Sequence, residues 1–233
     1  METQELREKV AVACNILALE GHWDNILGHV SARIPGEDAF LMKPHSFGFE
    51  EIRPRHMIVC NFAGEKIRGE NERHSEVFIH SEIYRARPDV GAVVHSHPPY
   101  AVAFGSLGTP LRPVGHEGSV FCDGLPLFDY TTALIRTPEL GAKVAEFLGS
   151  HRGVLMKNHG STVVGESVEV ATLYAVFLEK AARIQLLAMA SGDPSWSSDE
   201  EARVKYEQIY TPHRLTSMWN YFVRRAKRLT TDY

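Results

Sequence analysis

Residues 91–97 of this 233-residue chain read Gly91-Ala-Val-Val-His-Ser-His97, a short apolar run that ends in two histidines. An apolar run of this length is typical of a buried β-strand. Because side chains alternate along a strand, His95 and His97 are expected to point the same way, with Cβ atoms about 6.5 Å apart. Two imidazoles at that spacing can take adjacent positions on one metal ion. The end of this strand is therefore a candidate metal site.

Short β-type runs and longer helical runs lie on both sides of this strand. The β-type runs predict strands at 30–34, 39–42, 57–62, 91–95, 153–157 and 162–164. Helical spacing and end signals predict helices at 3–20, 75–87, 98–105, 138–149, 167–191, 198–209 and 212–229. No repeat or linker-like segment interrupts the pattern, so a single domain over residues 1–233 is expected. We predict the α/β class, with helices on both faces of a mixed or mainly antiparallel sheet.

Composition and charge argue against several classes of protein. The chain has 25 Lys and Arg against 29 Asp and Glu, a net charge of −4, so nucleic-acid binding is not expected. Charged side chains interrupt the most apolar stretch, 173–190, so no membrane span is expected either. The first ten residues lack the apolar core of a signal peptide, and the three cysteines are widely spaced. We therefore expect a cytoplasmic protein with reduced thiols.

Twelve histidines are many for this length, and histidine is the commonest metal ligand. His159 directly follows a predicted strand, and Glu76 begins the helix that precedes the strand ending in His95 and His97. Three neutral imidazoles suit Zn, Mn, Fe or Co, and a neighbouring glutamate can ligate the metal or act as general acid or base. Each histidine alone is explained more simply as a turn residue than as a metal ligand. The combination of the three with Glu76 favours a metal site.

At these residues the sequence resembles the class II aldolase/adducin family over roughly residues 5–190. The matching motifs, in chain order, are Gly28-His-Val-Ser-Ala-Arg33, Ser75-Glu76-Val-Phe-Ile-His80, Arg87-Pro-Asp89, Val93-Val-His-Ser-His97 and Asn158-His-Gly160. The resemblance implies a three-layer α/β/α fold and a divalent metal on His95, His97 and His159, with Glu76 as ligand or acid/base. It also implies a homotetramer with active sites between subunits, and metal-assisted cleavage or formation of carbon–carbon bonds.

The chain departs from the sugar-phosphate enzymes of that family where they hold the phosphate. His29 stands in place of an asparagine, Lys43-Pro-His45-Ser46 occupies the turn region, and His74-Ser75 replaces a pair of serines. We infer that the substrate is not a sugar phosphate. Charge-assisted donors favour a carboxylate or phenolic oxygen instead. The predicted substrate-binding residues are His29, Ser31, Arg33, His45, His74, Ser75, His116 and Tyr210. Simple packing of the histidines and an ion pair for Arg33 are the alternatives.

Some family members decarboxylate hydroxylated phthalates and pyridine dicarboxylates, and this chain is most similar to that branch. We therefore expect a metal-dependent lyase of aromatic catabolism, in which Glu76 or a water that it holds protonates the ring carbon as CO₂ leaves. Tyr130 is a further catalytic candidate, and with Tyr210 it is expected to close the pocket across a subunit boundary. An aldolase or epimerase acting on a sugar, a sugar phosphate or a hydroxy-keto acid is the alternative. An adducin-like interaction module without catalysis is a third, which the complete ligand set disfavours.

Overall fold

The computed structural model describes residues 2–230. Its helices are α1 (Glu2–Leu17), α2 (Val77–Ala86), α3 (Pro99–Gly105), α4 (Pro138–Leu148), α5 (Val168–Ser191), α6 (Asp199–Ile209) and α7 (Pro212–Thr230). Its strands are β1 (His29–Arg33), β2 (Ala39–Met42), β3 (Ile58–Asn61), β4 (Lys66–Arg68), β5 (Ala92–Ser96), β6 (Leu127–Phe128), β7 (Gly153–Met156) and β8 (Gly160–Gly165). The single domain over residues 1–233 stays a prediction, and residues 1 and 231–233 lie outside the described part.

The eight strands form one sheet in the order β4-β3-β2-β1-β5-β8-β7-β6. Each neighbouring pair is antiparallel except β6 and β7, which are parallel. The prediction of a mixed, mainly antiparallel sheet is therefore confirmed. The sequence predicts every strand of the sheet except β4 and β6, which lie at its two edges. Neither carries a sequence signal, because Lys66-Ile-Arg68 is short and largely exposed and Leu127–Phe128 has only two residues.

Alternating side chains along the strands build a separate core on each face of the sheet. In β2, Phe40 and Met42 lie in one core, which also takes in residues of α2 and α4, whereas Leu41 lies in the other. That second core contains buried residues of α1, α3, α5 and α7. The period of two that marks a strand therefore places apolar side chains on both faces. The result is the predicted three-layer α/β/α arrangement.

The long helix α5 lies on the larger core, where most of its side chains are buried. Of the helices within residues 2–230, none combines the length and the apolar character needed to cross a membrane. Helix α2 begins at Val77 instead of Ser75, with Glu76 at the capping position and no side-chain cap hydrogen bond. This leaves the Glu76 carboxylate free for contacts outside its own helix.

Strand order brings the predicted site together at the middle of the sheet. Strand β5 lies between β1 and β8, with His95 opposite both His29 and Thr162. The turn from β7 to β8 carries His159, and Gly160 then passes very close to β5. A Cβ atom on Gly160 would lie 2.5 Å from the Ser96 carbonyl oxygen and 2.6 Å from His97 Cδ2.

Replacing Gly160 with alanine is expected to lower the free energy of unfolding by about 1–3 kcal/mol, the usual cost of overpacking. Gly105→Ala is the matched control, since its Cβ would meet only the Met156 carbonyl oxygen and the Leu155 side chain, at 3.6 and 3.8 Å. The control should change stability by less than about 1 kcal/mol. Urea denaturation followed by circular dichroism measures both values, and equal stability of the two variants would contradict the close approach at Gly160.

Candidate metal centre and its cavity

Three histidines meet at the end of β5. The Nε2 atoms of His95 and His97 are 3.1 Å apart, and the ring of His159 has its centroid 5.1 Å from that of His95 and 5.3 Å from that of His97. One ring nitrogen from each lies within 4.8 Å of the others, close enough for one ion to reach all three. The structure thus brings together the three histidines that the sequence marks as metal ligands.

Hydrogen bonds at the other ring nitrogens orient His95 and His97. His97 Nδ1 donates to Asp24 Oδ2 at 2.9 Å, so the one proton of this neutral ring is on Nδ1. The Thr162 hydroxyl oxygen lies 3.0 Å from His95 Nδ1. His97 Nε2 therefore presents a lone pair 3.1 Å from His95 Nε2, and a proton on His95 Nε2 or a cation between the two nitrogens satisfies this contact.

His159 supplies an independent sign that the cluster fits a metal. Both of its ring nitrogens are buried and have no hydrogen-bond partner among the described residues. Buried polar atoms are rarely left unpaired, and a site for a bound ion is one of the usual reasons. Burial also lowers the pKa values of His95 and His97, which favours the neutral form that binds metals. This set of nitrogen donors fits Zn, Mn, Fe or Co.

Glu76 lies beside the three histidines, with its Oε1 atom 3.6 Å from His159 Nε2. The same oxygen accepts a hydrogen bond from the Ile135 backbone N–H at 2.8 Å. Burial by itself would raise the pKa of Glu76, but the interactions with His159 and the Ile135 amide outweigh it and hold this pKa below its usual value. The carboxylate is therefore ionised at neutral pH and able to ligate a cation or accept a proton.

A cavity of about 1020 Å³ opens over this cluster. Four of the predicted substrate-binding residues line it: His29, His45, His74 and Ser75. Lys43 lies behind His74 and is fully buried, and its Nζ donates to the backbone carbonyls of Ile26 and Pro44 at 3.2 and 3.3 Å. Burial lowers the pKa of Lys43 to about 8. Other residues that line the cavity are apolar or aromatic, namely Trp23, Leu27, Tyr100 and Leu134. Charged residues also line it, namely Glu20, Arg136, Glu179, Lys180 and Arg183.

Ser31 and Arg33 lie away from the cavity, which corrects their assignment as substrate contacts. Ser31 is fully buried between His80 and Tyr84. The Arg33 guanidinium donates to the backbone carbonyls of Tyr84, Arg87 and Val90 at 2.7–3.0 Å. It also lies over the Tyr84 ring. Its donors are used in joining β1 to the end of α2, so its role is structural.

His116, Tyr130 and Tyr210 are also absent from the cavity walls. The exposed His116 precedes a short helical turn, Glu117–Phe121, and its backbone carbonyl accepts from Ser119. Tyr210 is buried against Phe177, which corrects its placement at the pocket mouth. Tyr130 is 60% exposed and is not among the residues that line the cavity.

Sequence reasoning missed the residues that orient the ligands. Asp24 lies in an irregular segment with no motif, and Thr162 looks like any β-branched strand residue. The fully buried His80 did carry a signal, since it shares a helix face with Glu76, four residues away. Arg136 and Arg183 reach the cavity from chain segments far from the histidine motifs, and no local pattern indicates this.

Known proteins similar to this chain include decarboxylases and an aldolase. The model of the class II aldolase and adducin N-terminal domain matches residues 8–186. Decarboxylase NovR of Streptomyces niveus is 33% identical over 189 residues, which cover 80% of this chain and 70% of that protein. A 3,4-dihydroxyphthalate decarboxylase of Rhodococcus jostii is 30% identical over 233 residues, covering 94% and 95%. The structure of L-fuculose 1-phosphate aldolase from Glaciozyma antarctica superposes with a TM-score of 0.87 and 26% identity, covering 99% of this chain and 92% of that one.

Divalent metal is expected to stabilise the protein through these histidines. At a free Zn²⁺ or Mn²⁺ concentration 100 times the Kd, the free energy of unfolding should rise by about 2.7 kcal/mol. His97→Ala and His159→Ala should lose this gain, whereas His116→Ala, which removes an exposed histidine, should keep it. Thermal denaturation with metal and with chelator measures the effect. A gain of equal size in all three variants would contradict the assignment.

Proposed function

The chain belongs to the class II aldolase and adducin family, and we propose that it is a metal-dependent lyase that decarboxylates a hydroxy-aromatic carboxylate. A dihydroxyphthalate or a hydroxypyridine dicarboxylate is the substrate class. The proposal includes a cytoplasmic homotetramer with active sites between subunits. In such an assembly Tyr130, which is 60% exposed, would contact the site of a neighbouring subunit.

The proposed substrate class rests on the residues of the cavity wall beside the histidine cluster. It presents His29, His45 and His74, with the ammonium group of Lys43 buried behind His74. Within the described residues Lys43 forms no ion pair with a carboxylate, and a buried charge without a partner is costly. A carboxylate of the substrate would balance this charge. The names of two relatives, decarboxylase NovR and 3,4-dihydroxyphthalate decarboxylase, support the same class of reaction.

Separate residues would bind the metal and transfer the proton in this reaction. His95, His97 and His159 would hold the metal, with the first two oriented by Thr162 and Asp24. When bound, the cation would act as a Lewis acid toward two neighbouring oxygens of the substrate. The bond between the ring and the departing carboxylate breaks, and its electron pair stays on the ring carbon. Glu76, which also lines the cavity and is ionised in the free protein, would first take up the proton of the substrate's ring hydroxyl and would then deliver it to that carbon.

An aldolase or epimerase acting on a sugar phosphate or hydroxy-keto acid is the second candidate. The likeness to L-fuculose 1-phosphate aldolase favours it, because that fold covers 99% of this chain. The wall made by His29, His45 and His74 weighs against a phosphate, since bulky rings occupy the positions where hydroxyl and amide donors would be needed. A binding module without catalysis would not need Glu76 beside three convergent imidazoles.

Metal-loaded protein is expected to release CO₂ from a dihydroxyphthalate, and chelation should abolish the release. The same preparation is incubated in parallel with dihydroxyacetone phosphate and an aldehyde. Carbon dioxide is measured from carboxyl-labelled substrate, and the aldol product by chromatography. Turnover in the aldol assay alone would contradict the proposed substrate class and support the second candidate.

Glu76→Gln should lower kcat for decarboxylation by about 10²- to 10⁴-fold, the usual contribution of general acid–base catalysis. Metal should remain bound, because three imidazoles are unchanged. Glu179→Gln is a matched control in the same cavity wall, where the carboxylate accepts from the N–H groups of Tyr100 and Ala101. Steady-state rates and elemental analysis give both quantities. An unchanged kcat in Glu76→Gln would remove its role in proton transfer.

A further inference from the structure

The charged side chains that line the cavity differ in whether the protein itself supplies them with a partner. Most have one, namely Glu20 with Arg225, Asp24 with His97, Glu76 with the Ile135 N–H, Glu179 with the N–H groups of Tyr100 and Ala101, and Lys180 with Glu117. Arg136 and Arg183 are the exceptions: within the described part of the chain, neither guanidinium forms an ion pair or a hydrogen bond. Each has five N–H donors, so the cavity wall offers unused positive charge to a bound anion.

The surroundings of Arg183 already balance part of its charge. Its guanidinium lies 5.4 Å from the centroid of the Tyr100 ring, an attractive cation–π contact. It also lowers the pKa of the nearby Glu179 carboxylate, although the opposite effect of burial is larger. Arg136 has neither an aromatic ring nor a carboxylate of this kind among the residues that the structure describes. Of the two arginines, Arg136 is therefore the one whose charge is unmatched.

The backbone at Arg136 is held on both sides. Ile135, the residue before it, is fully buried, and its N–H donates to Glu76 Oε1 at 2.8 Å. Thr137, the residue after it, accepts from the Leu140 N–H at 3.3 Å and so caps the start of α4. The side chain of Arg136 thus extends from an anchored point, which lowers the backbone entropy that would be lost when it binds a ligand.

Arg136 also lies on the same side of the sheet as Glu76. Ile135 belongs to the core that takes in residues of α2 and α4, and Glu76 stands at the start of α2. Arg183 comes from α5, which packs on the opposite face. Because consecutive Cα atoms are about 3.8 Å apart and Ile135 contacts Glu76, the Arg136 side chain can reach a substrate that Glu76 protonates.

We propose that Arg136 binds the carboxylate that stays on the substrate ring and makes the site selective for dicarboxylates over monocarboxylates. The inference deepens the proposed function and rests on it. The positive charge of Lys43 behind His74 would serve one carboxylate, and a phthalate or pyridine dicarboxylate carries a second that needs its own partner. A guanidinium matches a carboxylate through two parallel N–H···O bonds, which give direction as well as charge.

Binding of phthalate and benzoate to Zn²⁺-loaded protein tests this inference without turnover. The two anions differ by one carboxylate, and neither has the ring hydroxyl that the proposed reaction needs. Titration calorimetry should show that wild-type protein binds phthalate more tightly than benzoate. Arg136→Met should weaken phthalate binding by about 10- to 100-fold, the usual worth of a charged hydrogen bond, and benzoate binding by less than about threefold. Wild-type protein that binds phthalate no more tightly than benzoate would overturn the proposal.

Three further variants separate a specific contact from a general loss of charge. Arg136→Lys keeps the charge without the planar pair of donors, so its phthalate affinity should lie between those of wild type and Arg136→Met. Arg85→Met is the matched control, since it removes an exposed arginine outside the cavity that pairs with Glu82. It should leave both affinities unchanged. An equal loss in Arg85→Met, or a loss in Arg183→Met in place of Arg136→Met, would contradict the assignment.

Failure of this inference can be told apart from failure of the proposed function. If only the proposed function fails, phthalate affinity still depends on Arg136, while wild-type protein releases no CO₂ from a dihydroxyphthalate. If only the role of Arg136 fails, Arg136→Met releases CO₂ with the wild-type KM. If both hold, Arg136→Met raises KM by about the same factor as the phthalate dissociation constant and changes kcat less, as expected for the loss of a binding contact.

Discussion

The close approach of two imidazole nitrogens, 3.1 Å apart at the end of β5, is the constraint on which the site depends. A proton or a cation between these nitrogens satisfies them, and one ion can also reach a ring nitrogen of His159. Asp24 and Thr162 orient the two rings, and the close passage of Gly160 brings the turn with His159 against the same point. The central strands of the sheet are thus arranged around one small volume lined by ring nitrogens.

The hydrogen-bond partners of the histidines at the cavity divide them into two classes. Thr162 and Asp24 orient His95 and His97 toward the cluster, whereas His29 is joined through Nδ1 to the buried His80. A substrate that chelates a cation and carries a second anionic group needs metal ligands and further polar side chains beside them. A hydroxy-aromatic dicarboxylate has this pattern of oxygens, which is why the cavity chemistry and the names of the decarboxylase relatives favour the same reaction.

Much of this architecture could be predicted from sequence because it rests on local periodicity. Apolar runs located six of the eight strands, and the alternation along β5 placed His95 and His97 on one side. Long-range contacts could not be predicted. Arg33 looks like a free cation in sequence, but three backbone carbonyls from the end of α2 and the loop after it engage it. Asp24 and Tyr210 are similar cases, since only the folded chain shows that one reaches His97 and the other is buried.

Anomalous diffraction at the metal absorption edge, from crystals of the protein loaded with Zn²⁺, would locate the ion relative to the histidines. We expect one peak bonded to His95 Nε2, His97 Nε2 and a ring nitrogen of His159 at about 2.0–2.1 Å, with His29 beyond bonding distance. A peak coordinated by His29, or no peak among the three histidines, would contradict this expectation.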